Sequence, residues 1–320
     1  MSSPEATGSE NEIEKAAVLA RTGKLKEAEG ILQPLLAQEA TAAEASYELG
    51  LIYYEINEPG KAIKYFKDTL TKTLPPVPTR RLQDAIDLVK AGKAEESEKI
   101  LLTLLDDEAT AIRARYELGL IYESKDDLDN AAIMLRDAQV LIADKMAAYE
   151  GTSNCKKCHI KEFNGWKKTK MARALDSLKP GMAAEAKIKA GFDPQKDYTK
   201  DTKCLECHTT GFGMPGGYKI PEKDDLKAVK RAQENEGASC ESCHGPGSKY
   251  VEIHNNALTK KEKYTLDELY QTGQYEINIK TCTTCHNLRN PTSGPDYHFD
   301  FEKFKTEDTH ERFPLKYRQE

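Results

Sequence analysis

The sequence predicts a mainly α-helical protein, with an array of paired helices in its first half and a domain of short helices and long loops in its second. Three observations carry this. The stretch ASYELGLIYYEINEPGKAIKYF from Ala45 returns as ARYELGLIYESKDDLDNAAIML from Ala114. Within these stretches apolar residues recur at helical spacing, as in Leu49, Ile52 and Tyr53 and again in Ile63, Phe66 and Leu70. All eight cysteines fall in four copies of C-x-x-C-H in the second half. At 320 residues the length allows about two domains. The expected division is a disordered start at 1–10, helical repeats over 11–145 and a cysteine-bearing domain over 146–320.

About four helix pairs fit between Asn11 and Asp144. Tyr47, Gly50 and Tyr53 map onto Tyr116, Gly119 and Tyr122, a separation of two units of roughly 34 residues. Ala28, Ala62, Ser97 and Ala131 mark the second helix of each unit, where helices must approach closely. Leu32, Phe66, Leu101 and Leu135 follow one turn later. These positions resemble the tetratricopeptide (TPR) pattern, most clearly in the second and fourth units; in the first, Ala16 stands where that pattern has glycine. A TPR-like α-solenoid is therefore expected, each pair burying its stripe against its neighbours. Pro75, Pro76 and Pro78 predict a bend or loop between the second and third units. In the TPR family the concave face commonly receives a peptide or protein, which implies protein–protein docking.

From about Met146 glycine, proline and polar residues increase and long apolar periodicity fades. The four words are Cys155-x-x-Cys158-His159, Cys204-x-x-Cys207-His208, Cys240-x-x-Cys243-His244 and Cys282-x-x-Cys285-His286. C-x-x-C-H is the attachment signal for c-type haem: two cysteines form thioethers to the porphyrin edge and the histidine binds iron from the proximal side. Zinc ribbons also use paired C-x-x-C but need no histidine directly after each pair. A disulfide framework has no reason to use only this spacing. The words thus predict four haem c groups, with their iron, whose large apolar faces serve as core where side chains cannot.

Removing the four proximal histidines leaves His254, His298 and His310 to cap four irons. Either one iron takes another ligand or one stays open. Met171, Met182 and Met214 are the local methionines, and Met/His ligation raises a haem's potential. Trp166, the only tryptophan, is expected against a porphyrin edge, and the G-P-G after His244 in a turn where backbone approaches a haem.

Four stretches, CKKCHIKEFNGWKKTKMARAL, CLECHTTGFGMPGGY, GASCESCHGPGSKYVEIH and CTTCHNLRNP, the last followed by FDFEKF and His310, resemble the cytochrome c-554-type tetrahaem proteins over about Tyr149 to His310. Those proteins carry electrons from hydroxylamine oxidation in ammonia oxidisers. The resemblance implies distal ligation by His254 and His310. Where the family has a distal histidine after its first word, this chain has Met171, which implies methionine ligation there. His298 has no clear counterpart and stands as either a distal ligand or a surface histidine. The family's type member leaves its second haem five-coordinate; on that pattern the iron bound by His208 is open and GFGMPGGY shapes its pocket, unless Met214 closes it.

No run is long enough to span a bilayer, and MSSPEATGSENE has neither the basic end nor the apolar stretch of a secretory signal. Covalent haem attachment implies a periplasmic or extracellular protein whose leader is absent from this chain. The net charge of −6 argues against nucleic acid as a partner. Lys156, Lys167 and Lys170 are candidates for steering an acidic redox protein. The favoured expectation is a relay passing electrons through four haems, docked to partner proteins by the repeats. The alternatives are an enzyme acting on a small nitrogen or oxygen species at an open iron, and a self-associating subunit of a conducting filament.

Overall fold

The structure is a computed structural model; it describes residues 4–143, 147–294, 297–307 and 309–319. The chain divides into two compact units, Met1–Met146 with Asn287–Phe299, and Ala147–His286 with Asp300–Glu320.

The first unit contains α1 Pro4–Arg21, α2 Leu25–Leu35, α3 Ala42–Glu55, α4 Pro59–Thr73, α5 Arg80–Lys90, α6 Ala94–Leu102, α7 Ala111–Ser124 and α8 Leu128–Ala143. α1 begins at Pro4, within the stretch expected to be disordered. Proline suits a first turn because its missing N–H is not needed there; residues 1–3 lie outside the described residues. Consecutive helices pair as α1/α2, α3/α4, α5/α6 and α7/α8.

The small residues set the contact distances. A Cβ on Gly50 would stand 2.5 Å from the Phe66 ring, and one on Gly119 would stand 2.7 Å from Leu135. Ala28, Ala62, Ser97 and Ala131 are wholly buried, as are Leu32, Phe66, Leu101 and Leu135. Ser97 keeps a hydroxyl in this position because it donates to the Ala85 carbonyl at 2.8 Å, satisfying a group that would otherwise be costly to bury.

The pairs do not stack simply in chain order. Residues 74–79, with the three prolines, are non-helical, and Thr79 restarts the helix by accepting from Leu82 N–H. Across this break α8 packs on α4. Ala131, Ala132, Ile133, Leu135 and Ala138 of α8 join the core of α1–α4, while α5, α6 and α7 build a second core around Leu82, Leu101 and Leu118. Alanines on α8 allow the close approach, and proline, which cannot continue a helix, frees the chain to turn back.

Two polar arrangements complete this unit. Arg21 donates to Glu48 at 2.6 Å and Glu55 at 2.7 Å, and all three are buried. Leu288, Arg289 and His298 lie against α3 and the turn after α1. Leu288 N–H donates to the Glu55 carbonyl at 3.1 Å, and the Arg289 guanidinium sits 3.8 Å from the Tyr54 ring centroid. The His298 ring occupies the space over Gly23, where a Cβ would be 2.6 Å from its Nε2.

The second unit contains shorter helices: α9 Thr152–Lys156, α10 Ile160–Trp166, α11 Ala184–Lys189, α12 Thr202–His208, α13 Leu226–Glu234, α14 Cys240–His244, α15 Val251–Lys260, α16 Leu266–Gln271, α17 Ile279–Thr283 and α18 Phe301–Phe304. Two 3-10 turns, Met171–Arg173 and Leu175–Leu178, lie between α10 and α11. Among the described residues the only β pairings are isolated bridges, Thr209 with Glu236 and Tyr264 with Arg318. Among the described residues most of the large fully buried side chains, such as Phe66, Leu32 and Leu141, belong to the first unit. In the second, apolar packing is confined to small clusters around Leu205 and Leu269, as expected of a chain built to surround something other than its own side chains. No helix among the described residues is long and apolar enough to cross a membrane.

Candidate haem centres

Each word is helical or ends a helix. In the first, His159 N–H donates to the Cys155 carbonyl at 2.9 Å; in the fourth, His286 N–H donates to Cys282 at 3.0 Å. The second and third lie within α12 and α14. Helical spacing places residues i, i+3 and i+4 on one face, so both sulfurs and the imidazole of a word address the same space. Side-chain caps start two of these helices: Asp201 accepts from Lys203 N–H and Asn278 from Lys280 N–H, both at 3.0 Å.

None of the eight cysteines is paired in a disulfide. Burial pushes Cys204 and Cys282 up to about 11 and Cys243 up to about 12. The neighbouring Cys240 thiol, together with burial, raises the Cys155 thiol. α14 packs against both α9 and α17. The third word therefore neighbours both the first and the fourth.

Folding brings the histidines into pairs. The His244 and His310 rings are near parallel, 25° apart, with centroids 6.2 Å apart. Those of His159 and His254 are 5.6 Å apart. A metal held between two imidazoles takes about 2 Å to each nitrogen, which with the ring radii puts the centroids about 6 Å apart. His254 Nε2 is buried and has no hydrogen-bond partner. A buried nitrogen lone pair of this kind is costly unless something binds it, so these residues fit the iron that the words imply. Burial, with neighbouring imidazoles, pushes His244 and His254 down to about 4, leaving them in the neutral, metal-binding form.

His208 is oriented differently. Its Nδ1 donates to the Ala174 carbonyl at 2.7 Å, with Ser177 Oγ 3.1 Å away, which fixes the tautomer and leaves Nε2 for iron. The Met171 carbonyl accepts from Ala238 N–H at 3.0 Å, and its side chain is half-buried. Met214 is buried, and Met182 is exposed. His298 is exposed and sits with the helical unit over Gly23.

Trp166 donates from Nε1 to the Ala238 carbonyl at 2.8 Å, tying α10 to the approach to the third word. The glycines of G-P-G give room to protein groups: a Cβ on Gly245, at φ +77°, would meet the Tyr275 ring, and one on Gly247 would lie 2.9 Å from Glu241 Oε1.

Two residues that the sequence does not signal hold the words in place. Glu241, an x position of the third word, is buried and accepts from the backbone N–H groups of Glu150, Gly151 and Gly247 at 2.8, 2.7 and 2.7 Å. Arg231 donates to the carbonyls of Glu150, Tyr149 and Gly216. Beside them Glu234 accepts from Ser153 and Thr152. Together they clamp the strand of chain entering the first word.

Residues 154–245 match the family described as cytochrome c554 and c-prime, and residues 13–76 and 82–145 match the tetratricopeptide repeat. Over 160 residues the chain is 39% identical to cytochrome c-554 of Nitrosomonas europaea, a match spanning 49% of this chain and 64% of that protein. The solved structure of reduced cytochrome c554 from the same organism aligns at 30% identity over 54% of this chain and 90% of that one, with a TM-score of 0.46. The fold and the words are similar to those of a mainly α-helical c-type cytochrome, joined to a region that matches the tetratricopeptide repeat. Its carboxy-terminal half is cytochrome c-554-like.

Proposed function

We propose that this protein relays electrons through four covalently bound c-type haems in a periplasmic or extracellular setting, and that its repeats, 11–145, dock protein partners. The pairing of His159 with His254 and of His244 with His310 is the observation that most supports it. When bound, haem supplies a one-electron iron couple whose potential follows its axial ligands and surroundings. The chain's part is to tether, orient and enclose. In the domain 146–320 the cysteines Cys155, Cys158, Cys204, Cys207, Cys240, Cys243, Cys282 and Cys285 anchor the groups. His159, His208, His244 and His286 would hold the irons, with His254 and His310 as second ligands beside His159 and His244. Met171 and His298 are the remaining candidate ligands. The packing of α14, which carries the third word, against α9 and α17 supports a relay, because electron transfer needs closely spaced centres.

Intact mass of protein matured in a host competent for haem attachment should exceed the polypeptide by four haems. Electron paramagnetic resonance of the oxidised protein should show low-spin signals for the two paired sites. His254→Ala should convert one of them to a high-spin signal. A mass without the increment, or an unchanged spectrum in that variant, refutes the assignment.

A further inference from the structure

We propose that the face around Cys158 and α10 is the docking site for a redox protein presenting an acidic surface, and that electrons cross there; this deepens the electron-transfer reading and rests on it. From Lys156 to Arg173 the sequence holds seven basic residues and one acid, Glu162, a net +6 in a chain whose total is −6. The basic residues are Lys156 and Lys157 inside the first word, Lys161 on α10, and Lys167, Lys168, Lys170 and Arg173 beyond it. All seven are exposed. Glu162 does not offset them at the surface: it is half-buried, its carboxylate 4.0 Å from His159 Nδ1.

The carboxy-terminal segment extends the same face. Gly165 lies against His310, and Lys161 Nζ stands 5.1 Å from the Phe313 ring centroid. Over residues 311–319 that segment adds exposed Arg312, Lys316 and Arg318 against Glu311.

An independent feature falls at the same place. Cys158 is exposed, whereas the other seven cysteines are half-buried. A thioether joins the porphyrin at its edge, so a haem held by Cys158 would bring an edge to this basic face. Ile160, two residues on, is 46% exposed and offers a dehydrating contact at the centre of the charge. Lysines act over about one Debye length of 8–10 Å and so gather a partner before contact; the isoleucine and the haem edge work only once it has docked. The apolar element here is a single side chain on a two-turn helix, which suits a protein surface better than insertion into lipid.

The test uses the holoprotein on gold carrying a carboxylate-terminated monolayer as the acidic surface, with a hydroxyl-terminated one for comparison. Adsorption should be strong at low salt on carboxylate only, with a faradaic current. Lys167→Glu/Lys168→Glu should weaken adsorption about tenfold or more, while Lys223→Glu/Lys227→Glu, before and at the start of α13, should change it less than twofold. Equal loss in both variants, or none in the first, overturns the proposal. Lysine-dependent sedimentation with phosphatidylglycerol vesicles, without adsorption to carboxylate, overturns it in favour of a membrane. Lysine-dependent adsorption with no faradaic current leaves the charged face standing and overturns the electron-transfer reading beneath it.

Discussion

Replacing Glu241 measures how far one carboxylate holds the cytochrome part together. Its Oε1 accepts from Glu150 and Gly247 N–H, and its Oε2 from Gly151 N–H. Hydrogen bonds to a charged group contribute about 1.5–3 kcal/mol, and a buried donor left without a partner costs about 1–3 kcal/mol. Glu241→Ala orphans three donors; counted conservatively, since neighbouring effects do not add, the loss is about 3–6 kcal/mol. Glu241→Gln keeps one oxygen for two donors and loses the third bond, about 1.5–3 kcal/mol. Burial already holds this carboxyl above its ordinary value against those hydrogen bonds, so removing the charge recovers some desolvation, and the glutamine variant should fall at the low end. Denaturant unfolding of the holoprotein, followed by haem absorbance, gives the totals. Hydrogen exchange should accelerate specifically at the amides of Glu150, Gly151 and Gly247. An alanine variant within about 1 kcal/mol of the parent, or glutamine as damaging as alanine, would refute the clamp.

Arg21→Met leaves Glu48 and Glu55 buried without their cation and should destabilise the repeat unit by about 3–5 kcal/mol; adding Glu48→Gln and Glu55→Gln should restore most of it in far-ultraviolet melting curves. Tyr54→Ala removes the ring under Arg289, so limited proteolysis should cut 287–299 faster while the α5–α7 core keeps its exchange protection. Glu234 sits below the ordinary carboxylate range: burial raises it, but hydrogen bonds from Ser153 and Thr152 outweigh that. A depressed folded value gives stability that is present above the unfolded pKa and is lost as pH falls through the folded one. Glu234→Gln should therefore lower stability near pH 7 and flatten its decline on acidification below about pH 4.5.

The helical repeats were legible because their signals are local. Gly50 and Gly119, with Phe66 and Leu135 one helix later, specify a close helix crossing wherever they occur. The words were legible for the same reason, since attachment chemistry needs two thiols and an imidazole within five residues. The packing of α8 on α4 was not, because a proline break states that a helix stops and not where the chain goes next. His254 and His310 could be nominated by resemblance, but only folding sets each opposite a particular partner, across 95 residues for His159 and 66 for His244.

Glu241 and Arg231 carry no signal at all: each reads as an ordinary surface charge until backbone amides or carbonyls from a distant segment converge on it. Composition and spacing alone determined that this chain pairs helical repeats with a cysteine–histidine domain too poor in apolar side chains to make its own core. Tertiary structure alone decided which imidazoles face each other, which words adjoin and which cysteine meets solvent. Covalent attachment and helix periodicity act over a few residues, whereas axial pairing, burial and exposure depend on segments far apart in sequence and exist only once the chain has folded.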